Sequence, residues 1–115
     1  MPYLQLNTSV SLSDAEKRSL CEEICKLISI IPGKSPAGTM LYINDGCFME
    51  MGDGKGPCLN LVVRLLGAAP EENKINFIEQ ITALFERTLK VTPPLMYINL
   101  VELDDWGVDG KFRKA

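Results

Sequence analysis

Two strand–helix–strand repeats within 115 residues predict an α/β fold of the α+β kind: a four-stranded mixed sheet with both helices on one face. Three observations carry this expectation. Apolar and polar residues alternate over Tyr3-Leu4-Gln5-Leu6-Asn7, as in a half-buried strand. Apolar residues recur at three- and four-residue spacing at Leu20, Ile24, Leu27, Ile28 and Ile31, and again at Ile75, Ile78, Ile81, Leu84, Phe85 and Leu89. Helix-breaking pairs, Pro32-Gly33 and Pro93-Pro94, close the two helical stretches at equivalent points.

Each element has a local reason. Ser13-Asp14-Ala15-Glu16 fits a capping box, in which the serine hydroxyl and the glutamate satisfy backbone donors at a helix start. A second strand is expected over Met40–Ile43, followed by a turn at Asn44-Asp45-Gly46, with a short strand over Phe48–Met51. Gly52-Asp53-Gly54-Lys55-Gly56-Pro57 reads as a hairpin-type loop; its glycines lack the spacing and the Lys-Ser/Thr of a phosphate cradle. Cys58–Leu66 is nearly continuous apolar sequence, as expected of a strand covered on both faces. Pro70 sits where a helix can begin, and Glu71 and Glu72 suit the first turn of its dipole. Leu95–Val101 is the last long strand. Two helices cover only one face of this sheet, so covering the other implies self-association.

Composition narrows the function. A length of 115 residues bounds the chain to a single domain, 1–115. A net charge of −3 argues against a nucleic-acid partner, and the basic end Lys111-Phe112-Arg113-Lys114 reads as a solvated tail. No apolar run approaches the ~20 residues of a membrane span, and the start lacks the layout of a secretory leader, so a cytoplasmic location is the default. The chain has no histidine, which removes Ser-His-Asp, Cys-His and histidine-metal chemistry. Its four cysteines form no tight Cys-x-x-Cys pair and suggest neither a zinc site nor a disulfide framework; Cys21 and Cys25 read as small buried hydrophobes on one helix face. No metal or cofactor is expected.

The residue with the most distinctive chemistry is Pro2. Once Met1 is trimmed, Pro2 is a free secondary amine at the tip of an ordered strand. Its unperturbed pKa lies near 8, and desolvation or a neighbouring cation lowers it further, toward that of a base working at neutral pH. Met-Pro is also a common start with no chemistry in it, so the surroundings decide.

Those surroundings resemble the macrophage migration inhibitory factor family, which includes D-dopachrome tautomerase. The resemblance rests on Met1-Pro2, Asn7-Thr8 closing the first strand, Gly33-Lys34-Ser35-Pro36 after the first helix, Pro57-Cys58 opening the central strand, Gly67 closing it, and Tyr97-Ile98-Asn99 in the last long strand. It implies a homotrimer whose sheets line a central barrel, and cofactor-free keto–enol tautomerisation of small aromatic 2-keto acids such as phenylpyruvate. In that scheme Pro2 is the general base and Lys34 binds the substrate carboxylate or carbonyl oxygen. Leu66 offers a backbone amide, Tyr97 and Asn99 reach the pocket from the neighbouring subunit, and Trp106 and Phe112 wall it. The family also implies an alternative, a cytokine-like ligand released without a signal peptide and acting on a cell-surface receptor. The chain departs from the pattern in several places. Leu65-Leu66-Gly67-Ala68 replaces the Ser-Ile-Gly-Gly of many members, Gly38 stands near a usual aromatic, and Cys58 has lost its second thiol. Arg64, inside an apolar strand, either binds a substrate carboxylate or pairs with an acid at a subunit interface.

Overall fold

A computed structural model describes residues 1–115. The main sheet contains β1 (Pro2–Thr8), β2 (Met40–Asn44), β3 (Leu59–Leu66) and β4 (Met96–Leu103), in the order β2-β1-β3-β4. Helix α1 (Asp14–Leu27) joins the parallel pair β1/β2, and α2 (Glu71–Leu89) joins the parallel pair β3/β4. The two halves meet at the antiparallel pair β1/β3, so the sheet is mixed, as the repeats predict.

The helix starts follow the sequence logic. Ser13 caps α1 through the Glu16 amide, and Glu16 returns the contact to the Ser13 amide, 3.1 and 2.9 Å. α2 begins after Pro70 and ends where Lys90 adopts a left-handed conformation, φ 57°. The core lies between helices and sheet: Leu4 and Leu6 of β1, Leu59, Leu61, Val63 and Leu65 of β3, Leu20 and Ile24 of α1, and Phe77, Ile81 and Phe85 of α2 are all buried. The stripe of α2 buries Ile81, Leu84, Phe85 and Leu89 as expected, but its start differs. It starts at Phe77, while Ile75 is 51% exposed, because Phe77, Ile81 and Leu84 keep four- and three-residue spacing and Ile75 lies two residues off that register.

Three expectations are corrected. Phe48–Met51 forms no strand; the chain there crosses as a loop with Phe48 exposed. The C-terminal segment is not a free tail: Asp105–Val108 (β5) and Lys111–Lys114 (β6) form an antiparallel hairpin about Asp109-Gly110, a turn dipeptide suited to positive φ. The central strand is not apolar on both faces. Leu59, Leu61, Val63 and Leu65 face the helices, but Asn60, Val62 and Arg64 alternate onto the open face.

That open face carries an asparagine ladder, one residue from each strand. Asn44 donates to Asn7 Oδ1 at 3.5 Å, Asn7 to Asn60 Oδ1 at 2.8 Å, and Asn60 to Asn99 Oδ1 at 3.1 Å. Asn99, out of place in a strand by propensity, thus has a partner. At the end of the sheet away from Pro2, Asp45 ties the loop before α1 to the turn after β2: its carboxylate accepts from the Leu12 amide at 2.8 Å and pairs with Lys17 at 3.0 Å.

Asp45 yields a pH prediction. The Leu12 amide first, and then Lys17, hold its carboxyl below the ordinary aspartate range. A carboxylate with a lowered folded pKa stabilises the fold above its unfolded pKa, ~3.9, and loses that contribution as pH falls through the lower folded value. Asp45→Ala should therefore unfold at lower denaturant concentration than the native chain at pH 7, and the gap should narrow below about pH 4. A gap that persists unchanged in acid would reject the assignment.

Candidate functional site

The site is built where three chain segments converge beside the first residue of β1. Pro2 is buried, its register partner across the antiparallel pair is Leu65, and Leu66 is the last residue of β3. Gly67, at φ 86°, turns the chain there, and its amide donates to the Leu103 carbonyl at 2.8 Å. Gly33, at φ 78°, lets the chain leave the first helical segment at the angle that delivers Lys34. Lys34 Nζ then donates to the Leu66 carbonyl at 2.8 Å, a charge-assisted bond that holds the ammonium beside the strand end.

A cleft of about 450 Å³ opens against this corner, lined by Met1, Pro2, Tyr3, Gly38 and Met40 with Trp106, Gly107, Val108 and Asp109 of the hairpin. That volume falls in the range that holds a small organic ligand. Apart from Asp109 its wall is largely apolar. Gly38 contributes backbone but no side chain to that wall.

The electrostatics suit a neutral amine. Burial first, and the Lys34 cation second, push the amino-terminal ammonium below its ordinary range. In the chain as it stands the amine belongs to Met1 and the Pro2 nitrogen is an amide. Removing Met1 moves the amine one residue inward, to a residue that is itself buried.

The structure gathers some of the sequence-predicted residues and separates others. Pro2, Lys34 and Leu66 lie together, and Trp106 walls the cleft. Leu66 meets Lys34 through its carbonyl, while its side chain is buried. Phe112 sits on β6, 66% exposed and outside the cleft. Asn99 sits nearer the middle of the sheet, opposite Val62, which pairs with Gln5; Tyr97 lies toward the other end, pairing with Asn60, which pairs with Asn7, five residues along β1 from Pro2. At ~3.3 Å per residue that is about 17 Å, too far for one small ligand within a single chain. Tyr3 and Met40, which the sequence reading did not single out, line the cleft as neighbours in register. Their signal was the pairing of β1 with β2, which the sequence does not print. Arg64 has no acid partner and places its guanidinium 5.7 Å from the Tyr3 ring centroid.

The family model for macrophage migration inhibitory factor matches residues 1–112. Among solved structures, that of MIF2 from Leishmania major superposes with a TM-score of 0.89 at 19% identity, covering 98% of this chain and 97% of that one. The homologue from Prochlorococcus marinus gives 0.81 at 21% identity, covering 96% and 97%. Pt0534, solved after inactivation by 2-oxo-3-pentynoate, gives 0.79 at 19% identity, covering 94% and 93%. No curated protein sequence matches the chain.

The two causes of the lowered amine pKa can be separated. Lys34→Met removes the second but leaves burial, so the amino-terminal pKa should rise while staying below the ordinary α-amino range. An NMR titration of the isotopically methylated amine measures this; an unmoved or lowered pKa would contradict the placement of Lys34.

Proposed function

The chain belongs to the macrophage migration inhibitory factor family, and from that premise we propose that it is a cofactor-free keto–enol tautomerase of small aromatic 2-keto acids, working as a homotrimer with Pro2 as its base. The observation that carries this reading is the buried Pro2 at the wall of a largely apolar cleft, beside an amine-depressing lysine. Moving a proton on the carbon next to a carbonyl needs a base that is neutral near pH 7 and a cation or donor for the oxygen that gains charge.

The steps follow from that arrangement. The substrate ring lies against Trp106, Tyr3 and Met40, and its carboxylate or carbonyl oxygen faces Lys34. In the enol-to-keto direction the Pro2 amine accepts the enol O–H proton, Lys34 stabilises the enolate oxygen, and the same ammonium of Pro2 returns the proton to carbon. In the reverse direction the amine removes the C–H proton. Nothing is oxidised or reduced overall, and the proton inventory closes on Pro2. The electrophilic keto acid that inactivated Pt0534 is of the same 2-keto acid class, which supports such a probe here.

The trimer answers the open sheet face. Met40, Tyr42 and Tyr97 are 67%, 50% and 63% exposed, and the strand register puts all three on the face opposite the helices. Covering it with neighbouring copies removes that apolar surface from water, and would bring Tyr97 and Asn99 of one chain toward the Pro2 cleft of the next.

Two experiments test the proposal. Met1-free protein should ketonise enol phenylpyruvate at a rate that climbs as pH rises through the depressed amine pKa, because the base must be unprotonated. Pro2→Gly should lose about 10²-fold or more, and protein retaining Met1 should be inactive. Absence of turnover from verified Met1-free protein, or full activity of Pro2→Gly, would sink the enzymatic reading. For the shared site, sedimentation should give three times the 12.8 kDa chain mass. Refolding Pro2→Gly together with Tyr97→Ala should restore activity that neither variant has alone, since some mixed trimers then hold an intact site. A monomer, or no recovery on mixing, would refute the intersubunit arrangement.

A further inference from the structure

The outer surface of α1 carries a feature that tautomerisation leaves unused. Cys21 and Cys25 were expected to be buried hydrophobes, but both are partly exposed. They open onto a hollow of about 440 Å³ walled by Cys21, Glu22, Cys25, Lys26 and Pro36. One wall is therefore two thiols one helical turn apart, and the other is the proline of the segment that follows Lys34.

The spacing decides what this pair can do. Residues four apart on a helix have Cβ atoms about 5–6 Å apart. A disulfide needs about 3.5–4.5 Å, so the pair does not close without breaking the helix. An ion with metal–thiolate bonds of about 2.3 Å can join sulfurs up to ~4.6 Å apart, and rotation about the two Cα–Cβ bonds brings them to that separation. The donor count narrows the ion. No three or more Cys, Asp or Glu side chains cluster as metal donors anywhere in the chain, and histidine is absent. Two thiolates without a third or fourth ligand do not satisfy tetrahedral zinc, whereas they suit a soft ion that accepts two sulfurs.

We propose that Cys21 and Cys25 form a two-coordinate dithiolate site for a soft monovalent cation of the Cu(I) type. Both thiols start protonated: burial pushes both up, and Cys25 is pushed further by Cys21. Binding one Cu(I) therefore breaks two S–H bonds, forms two S–Cu bonds and releases two protons, with no change of oxidation state. The bound unit carries one net negative charge. Lys26 in the same hollow offsets it and Glu22 opposes it. The other two thiols serve as internal controls: Cys58 is buried, and Cys47 sits in the turn after β2 with its Sγ donating to the Asn44 carbonyl at 3.2 Å.

The test is an anaerobic titration of the reduced full chain with Cu(I), competed against a chromogenic Cu(I) chelator. The native protein should take one ion per chain with release of two protons. Cys21→Ser and Cys25→Ser should each abolish that uptake, while Cys47→Ser retains it, all with unchanged circular dichroism. Cys21→Ala provides a second variant should the serine disturb the helix. Uptake that survives loss of Cys21 or Cys25, uptake that disappears with Cys47, or no uptake by the native chain would each overturn the proposal.

Discussion

The antiparallel pairing of β1 with β3 is the constraint on which the rest of the molecule depends. It joins two parallel strand–helix–strand halves into one sheet, and it sets Pro2 opposite Leu65. Because β3 ends one residue later, the Leu66 carbonyl lies beside the amino terminus, and that carbonyl is what Lys34 grips. A one-residue slip would turn Leu4 and Leu6 from the core to the open face and move Pro2 off its neighbour. Fold stability and site geometry are therefore fixed by the same register.

The two faces of the sheet solve different problems. The helix face is a continuous apolar core in which Leu4, Leu6, Leu61, Val63 and Leu65 meet Phe77, Ile81 and Phe85. The open face mixes exposed Met40, Tyr42 and Tyr97 with the Asn44–Asn7–Asn60–Asn99 ladder and the unpaired Arg64. A face of that kind suits a partner that buries the aromatic and thioether groups while the amide ladder keeps its own hydrogen bonds. Because the ladder amides are already bonded within the chain, covering such a face leaves fewer of them unsatisfied.

Much of this was legible in the chain, and the reasons are local. The capping box at Ser13, the breaks at Pro32-Gly33 and Pro93-Pro94, and the alternation over Tyr3–Asn7 act through neighbouring residues, so they read directly. The stripe of α2 was harder. Ile75 and Phe77 are both apolar, and only packing against the sheet selects the phase that buries Phe77. The C-terminal hairpin is hard to read from sequence because its strands are four residues each and β6 is mostly charged, although Asp109-Gly110 marks its turn. The asparagine ladder was invisible for a different reason: its members are far apart in sequence, and only cross-strand register makes them neighbours. Of the site, Pro2, Lys34 and Leu66 lie together within one chain. Tyr3 and Met40 emerge only once β2 is laid beside β1.

In the proposed reaction the base sits at a chain terminus, which sets up a physical conflict. Chain ends fray, and a proton-transfer group must be held to a fraction of an ångström. The sheet order eases it: β1 is interior, paired with β3 from Pro2 onward and with β2 from Tyr3 onward, so the strand is anchored from its first residue. Proline adds a ring that fixes φ and removes a donor the strand start does not need. At the amino terminus as it stands, burial first and the Lys34 ammonium second lower the amine's pKa, and the Leu66 carbonyl tethers that ammonium in place. The interior position of β1 thus orders the amine, buries it and sets it beside a cation, all through one pairing pattern.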